Sequence, residues 1–239
     1  MGSDDKDLAM SGDRSGSKES AKQPELFPPE PGWIGTDESG KGDYFGPLVV
    51  AGVFLPEGQE EVLRELGVKD SKRTSDNRAR ELAAIIKKGY KHSVVAIGPE
   101  KYNDLYAKLR NLNKLLAWSH ARAIENILEG TRAGRAITDQ FGDERFVLEA
   151  LMKKGRTIEL VQKVRAEEDM AVAAASILAR AEFLTRLHFL GRDIGLDLPK
   201  GSSSATEEAG RELVRRHGPD VLNKVAKVHF KQTARILGG

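Results

Sequence analysis

The sequence contains no cysteine among its 239 residues. This absence excludes disulfide bonds, thiolate zinc sites, iron–sulfur clusters and catalysis by a cysteine nucleophile. The five histidines are scattered along the chain without a close pair, which argues against a histidine-rich metal site. No apolar run approaches the roughly 20 residues that a membrane-spanning helix needs. A catalytic metal is therefore expected on carboxylates, which favour magnesium or manganese.

The composition is typical of a soluble globular protein, with 39% hydrophobic and 31% charged residues. The length suits one sizeable domain or two small ones. The chain carries 38 basic and 36 acidic residues, a net charge of +2. A mildly basic protein fits a polyanionic partner without requiring one.

Residues 1–31 differ in composition from the rest of the chain. They are rich in serine, aspartate, lysine and glycine, end in several prolines, and hold too few apolar residues to form a core. We therefore predict a disordered tail over 1–31 and a single domain over 32–239. The tail lacks the basic start and apolar stretch of a secretory signal, and together with the absence of cysteine this favours the cytoplasm.

Hydrophobic patterning predicts alternating strands and helices in the body of the chain. The predicted strands are 33–37, 48–55, 93–97, 135–139 and 157–164. The predicted helices are 75–88, 112–130, 170–190, 206–217 and 219–237. Strands followed by helices indicate an α/β sheet with helices on its faces.

The segment 35–47 carries the most chemical information. Its strand ends on two adjacent acids, Asp37 and Glu38, and then enters the turn Gly40-Lys41-Gly42. Side chains alternate along a strand, so both acids can serve one site only if the chain already turns at Glu38. The glycines permit close approach of the main chain to a ligand, and Lys41 could meet a phosphate. The alternative is an acidic surface turn with capping roles.

Further acids occur at the ends of other predicted elements. Asp139 ends a strand, where ligand sites of α/β sheets gather. Glu167 and Glu168 precede the alanine-rich helix, where acids commonly interact with the helix dipole. Helix capping is the alternative role for Asp139. A cluster of three or four such carboxylates could bind two divalent cations and hydrolyse a phosphodiester without histidine or cysteine.

The string Asp-Glu-Ser-Gly-Lys-Gly-Asp-Tyr-Phe-Gly-Pro-Leu-Val-Val, residues 37–50, resembles the first signature of the type 2 ribonucleases H, and among them ribonuclease HIII. Ser39 and Lys41 stand where ribonuclease HII typically has alanine and arginine. Further matches follow in chain order: 67–72, 111–113, 116–118 with His120, 138–141, 171–180, 198–201 and 228–231. The resemblance covers about 33–237.

The resemblance implies an α/β, ribonuclease H-like fold: a central mixed β-sheet flanked by helices, with a helical C-terminal part. It implies an endonuclease that cleaves the RNA strand of RNA–DNA hybrids, uses two Mg²⁺ or Mn²⁺ ions and leaves 5′-phosphomonoester products. The family's four catalytic, metal-binding acids correspond to Asp37, Glu38, Asp139 and Glu167. Glu168 is the alternative for the fourth, because the spacing to the following helix is shorter than in relatives.

The resemblance also implies substrate contacts. Main-chain groups of the glycine-rich turn could meet the 2′-hydroxyls that distinguish RNA from DNA. Lysines would contact phosphates, and asparagines would add polar contacts; the alternatives are solvated surface charges and turn or cap chemistry. The expected substrate-binding residues are Ser39, Gly40, Lys41, Gly42, Lys69, Lys72, Asn111, Asn113 and Lys200.

Two other functions stay open at this point. One is cleavage at single ribonucleotides embedded in duplex DNA, as in ribonuclease HII. The other is hybrid binding without catalysis, although clustered acids would weaken a binder of polyanions. Ribonuclease HIII typically carries an N-terminal domain resembling the TATA-binding protein, and the residues before Trp33 are too few for it. The expected protein is a monomer whose affinity for hybrids comes from the catalytic body.

Overall fold

The computed structural model describes residues 31–68, 75–139, 142, 145–151 and 154–238. The predicted tail up to residue 30 lies outside these ranges, as do Lys69 and Lys72. Among the helices so described, none combines the length and apolarity needed to cross a membrane.

A mixed five-stranded sheet in the order β3-β2-β1-β4-β5 forms the centre of the fold. β1 pairs antiparallel with β2 and parallel with β4, which itself runs parallel to β5. Thr36 of β1 pairs with Thr138 of β4, so these two strands end side by side. The mixed sheet predicted from the resemblance is confirmed. The strands are β1 Gly32–Ser39, β2 Leu48–Pro56, β3 His92–Ile97, β4 Ala133–Asp139 and β5 Glu159–Lys163.

Helices cover both faces of the sheet. Alternate residues of β1 belong to opposite cores, because Trp33 packs with the alanine-rich helix α6 (Met170–Ile194) and Ile34 packs with α4 (Leu112–Leu128). The helices of the described residues are α1 Glu60–Glu65, α2 Asp76–Gly89, α3 Pro99–Leu109, α4 Leu112–Leu128, α5 Arg145–Ala150, α6 Met170–Ile194, α7 Ser204–His217, α8 Val221–Val225 and α9 Lys231–Leu237.

Small residues bring β1 and α6 into backbone contact. A Cβ added to Gly35 would lie 2.2 Å from the backbone of Ala171 and Val172, which leaves no room for a side chain there. This contact places the first turns of α6 directly beside the end of β1. The alanine-rich composition of α6 therefore brings the helix close to the acids that follow Gly35.

The prediction of one helix over 219–237 is wrong. The segment forms two short helices, α8 and α9, and the residues between them are held by tertiary contacts. Ala226 is extended, with φ −129° and ψ 157°, and forms a β-bridge with Phe45. Pairing with a distant segment here overrides the local helical pattern. Helices α1, α3 and α5 were not predicted from the sequence.

Candidate active site

Two predicted acids lie at the end of β1. Oδ1 of Asp37 accepts a hydrogen bond of 2.8 Å from the backbone N–H of Glu38, and the carboxylate also bonds to Ser176 of α6. Burial, followed by the charge of Glu38, raises the pKa of Asp37 to about 6. Asp37 is thus fixed between the strand end and α6, next to a second carboxylate.

Glu38 is held as a carboxylate by two basic neighbours. Its Oε1 lies 3.4 Å from Nζ of Lys41, and its Oε2 lies 3.3 Å from Nε2 of His120. Burial acts to raise the pKa of Glu38, but the hydrogen bonds and charges of His120 and Lys41 outweigh it and hold that pKa below its usual value. The Glu38 side chain is 12% exposed.

His120 of α4 joins both strand ends, and sequence reasoning gave it no role. Its Nδ1 lies 2.8 Å from Oγ1 of Thr36 and 3.3 Å from Oγ1 of Thr138, the residues that precede Asp37 and Asp139. A carboxylate carries no hydrogen to donate, so the 3.3 Å approach of Nε2 to Oε2 of Glu38 favours the tautomer with a hydrogen on Nε2. In the neutral ring of that tautomer, the one lone pair of Nδ1 accepts from the nearer hydroxyl, that of Thr36, while the hydroxyl of Thr138 lies 3.3 Å from both Nδ1 and the carbonyl oxygen of Asp139.

The role of His120 can be inferred from the sequence only once the register of β1 and β4 is known. His120 is fully buried, and its two threonine partners face each other across β1 and β4. A buried polar side chain requires partners, and the threonines supply them next to the acids. The spacing of histidines along the chain gives no indication of this contact.

Asp139 fixes the turn that carries the fourth predicted acid. Its Oδ1 accepts a hydrogen bond of 3.2 Å from the backbone N–H of Ala166, the first residue of the 3₁₀ turn Ala166–Glu168. Within that turn Glu167 is half-buried and Glu168 is exposed. Asp169 then caps α6 by accepting hydrogen bonds from two backbone N–H groups.

The structure places these acids on three adjoining segments. Asp37 and Glu38 lie just before the end of β1, Asp139 ends the neighbouring β4, and Glu167 lies on the turn bonded to Asp139. The turn expected at Glu38 is not there, because β1 stays paired with β2 as far as Ser39. In the described part of the chain, no three Asp, Glu or His side chains are grouped closely enough to hold one metal ion together.

The donor set nevertheless fits a hard divalent cation. Its oxygens are carboxylate oxygens, which suit magnesium and manganese. The raised pKa of Asp37 reflects desolvation and repulsion by the adjacent Glu38, and a bound cation would offset both. The residues present are thus chemically suited to the metal that the sequence predicts.

The glycine-rich turn has a fixed entry and an open tip. Gly40 has φ +88°, and a Cβ there would lie 2.2 Å from the carbonyl oxygen of Pro47. Gly42 has nothing within 4 Å of the position of a Cβ. Lys41 between them is 39% exposed and paired with Glu38. The tip can therefore be approached closely by a large ligand, while Ser39 ends β1 just before it.

Two of the remaining predicted substrate contacts, Asn111 and Lys200, have partners within the protein. Oδ1 of Asn111 caps α4 by accepting from the backbone N–H groups of Asn113 and Lys114, as the alternative reading expected. Nζ of Lys200 lies 2.7 Å from Oδ2 of Asp76, and the other oxygen of Asp76, Oδ1, binds Arg180. Their contacts with substrate stay predictions, as do those of Asn113 and of Lys69 and Lys72 outside the described residues.

The chain is similar to known ribonucleases. The family model described as Ribonuclease HII matches residues 34–233. Ribonuclease HIII of Protochlamydia amoebophila (strain UWE25) is 50% identical over 205 residues, which cover 86% of this chain and 68% of the relative. Ribonuclease HIII of Chlamydia muridarum (strain MoPn / Nigg) is 46% identical over 208 residues, covering 86% of this chain and 69% of the relative.

Two solved structures show the same similarity in three dimensions. Bst-RNase HIII in complex with Mn²⁺ superposes with a TM-score of 0.81 at 32% identity, over 88% of this chain and 70% of that one. Aquifex aeolicus RNase H3 gives a TM-score of 0.69 at 33% identity, over 83% of this chain and 72% of that one. The ribonuclease H-like fold predicted from the resemblance is confirmed.

Proposed function

Because the chain belongs to the ribonuclease HII family, we infer that it is a metal-dependent endonuclease that cleaves the RNA strand of RNA–DNA hybrids. The observation that carries this inference is the placement of Asp37 and Glu38 beside Asp139 at the ends of two parallel-paired strands. A protein that only binds polyanions would gain nothing from buried negative charge at this edge.

We propose that Asp37, Glu38, Asp139 and Glu167 hold two Mg²⁺ or Mn²⁺ ions during catalysis. Divalent ions bound there would make a water molecule more acidic and would place positive charge at the leaving oxygen. Cleavage would then give 5′-phosphomonoester products. The protein's own groups hold the ligands in place: Ser176 bonds to Asp37, and His120 contacts Glu38. The chemistry of the donor set supports this assignment.

We propose that the Gly40–Gly42 turn binds the RNA strand. Its open tip allows main-chain groups to approach 2′-hydroxyls, and Lys41 beside Glu38 adds a positive charge near the scissile region. Ser39, Asn111, Asn113, Lys69, Lys72 and Lys200 remain proposed contacts. We also propose one catalytic domain over 32–239, a monomeric enzyme and a cytoplasmic location.

A cleavage assay separates the possible functions. We expect rapid Mg²⁺-dependent cleavage of a uniform RNA–DNA hybrid and its loss on chelation. Preference for a duplex with a single embedded ribonucleotide would favour the specificity of ribonuclease HII. Hybrid binding without cleavage in either Mg²⁺ or Mn²⁺ would contradict the enzymatic function.

Replacing Lys41 with alanine tests the phosphate contact of the turn. We expect weaker hybrid binding and a salt dependence reduced by about one counterion, since one lysine–phosphate contact is lost. Fluorescence anisotropy over a salt series measures both quantities. Lys88→Ala, an exposed lysine at the far end of α2, is the matched control. An unchanged salt slope for Lys41→Ala would indicate that its charge serves Glu38 alone.

Replacing His120 with glutamine tests the link between the strand ends. The amide cannot reproduce all three contacts of the imidazole, so Glu38 and both threonines lose part of their support. We expect cleavage to fall by roughly 10–100-fold and the half-saturating metal concentration to rise. Metal-titrated cleavage measures this, with exposed His188→Gln as the control. Wild-type metal dependence in His120→Gln would refute the positioning role.

A further inference from the structure

Lys227 is a fully buried lysine that the proposed chemistry does not use. An ammonium group is costly to remove from water unless polar groups replace its hydration shell. Here Nζ donates hydrogen bonds of 2.8 Å to the carbonyl oxygens of Asp43 and Gly46. Burial lowers the pKa of Lys227 to about 7, although the charge of Asp43 opposes this shift. Both the charged and the neutral amine keep enough hydrogens to make the two bonds.

Both acceptors lie in the exit segment of the glycine-rich turn, which we define as residues 43–46. The backbone N–H of Lys227 also donates to the carbonyl of Tyr44 at 2.9 Å, and the N–H of Gly46 donates to Val225 at 2.9 Å. Phe45 forms the β-bridge with Ala226. The last residue of α8 and the short connection to α9 therefore contact all four residues of the exit segment.

A second loop from the C-terminal part holds the same segment. The backbone N–H of Tyr44 donates to the carbonyl of Gly201 at 2.8 Å, and the N–H of Gly201 donates to Oδ1 of Asp43 at 2.6 Å. Tyr44 and Phe45 also pack into the main core with Val225. These contacts keep the segment in place, and the side chain of Lys227 adds hydrogen bonds to the carbonyls of Asp43 and Gly46.

The position of the exit segment determines the position of the turn. Gly40 and Gly46 both have positive φ, +88° and +83°, so the chain reverses sharply at either end. Gly40 lies against the carbonyl of Pro47, which directly follows the exit segment. A shift of residues 43–46 would therefore move Lys41 and Gly42 as well.

We propose that Lys227 is a positioning residue for substrate binding, which fixes the exit segment and thereby the geometry in which the Gly40–Gly42 turn meets the RNA strand. This role rests on the proposed function of the turn. Asp37 bonds to Ser176, and Glu38 contacts His120 in addition to Lys41 of the turn. Each catalytic acid therefore keeps a contact outside the turn when Lys227 is changed.

The test replaces Lys227 with methionine, which preserves length but removes the donors. The carbonyls of Asp43 and Gly46 then lose their partner, and the turn loosens. We expect KM for a uniform hybrid to rise roughly tenfold, which corresponds to the loss of about one good hydrogen bond. We expect kcat to stay within about threefold of the wild-type value. Lys224→Met, an exposed lysine of α8, is the matched control and should match wild type.

Each other outcome is informative. Unchanged KM with only a lower melting temperature would overturn the proposal and make Lys227 structural. Equal losses in kcat and kcat/KM would also overturn it, because they indicate displaced catalytic acids. If Lys227→Met does not fold, Lys227→Gln replaces it, because glutamine keeps hydrogen-bond donors on a shorter side chain. The proposal then requires that amide hydrogen exchange of residues 43–46 in Lys227→Gln rises together with KM. Failure of the wild-type protein to cleave hybrids would instead overturn the proposed function.

Discussion

Replacing Asp37 or Asp139 with asparagine is expected to lower cleavage of an RNA–DNA hybrid by about 10³-fold or more. An amide retains the shape of the side chain but loses the negative charge that a divalent ligand set requires, and metal-supplied stabilisation of the transition state amounts to several kcal/mol. Hybrid binding should survive or improve, because one negative charge near the phosphates is removed. Single-turnover cleavage and anisotropy measure the two effects separately.

The fold should tolerate these changes. Asp37 lies next to Glu38, and removing one of two adjacent, largely buried negative charges relieves repulsion, so the melting temperature of Asp37→Asn should not fall. Asp104→Asn, an exposed acid of α3, is the matched control for the loss of a carboxylate elsewhere. Wild-type cleavage by Asp37→Asn or Asp139→Asn would refute the proposed site.

The parts of the fold that were predicted are those where one local pattern dominates. β2 is buried along nearly its whole length and reads as an apolar run, and α6 is alanine-rich without a breaker until Gly191. No helix was predicted over α3, which has Pro99 in its first turn. Only Pro99 and Tyr102 are buried there, which gives too weak a periodic signal.

The candidate site was predictable in its residue types more than in its contacts. Asp37 and Asp139 end apolar strands, and the parallel pairing of those strands then brings them to one edge. The partners of His120, Lys200 and Lys227 come from distant segments, so no local pattern indicates them. Lys200, for example, contacts Asp76, which lies 124 residues away in the sequence.

A second large effect is expected at the fourth acid. Glu167→Gln should lower cleavage by about 10²-fold or more and raise the metal concentration required, because Glu167 is the half-buried acid on the turn bonded to Asp139. The melting temperature should change little, since Asp169 rather than Glu167 caps α6. Metal-titrated cleavage of the purified variant measures the rate and the metal requirement, and thermal denaturation measures the melting temperature.

Glu168→Gln is the matched control, one residue along the same 3₁₀ turn. Its side chain is exposed and lies just before the positive end of α6, so its charge is expected to contribute about 0.3–1 kcal/mol of stability and little to turnover. A 3₁₀ helix has three residues per turn, so the side chains of Glu167 and Glu168 point in different directions. Only one of them can therefore face the ends of β1 and β4. Reversed effects would assign the fourth ligand to Glu168. Equal and mild effects would show that neither residue completes the site, and that the metals are held by Asp37, Glu38 and Asp139 alone.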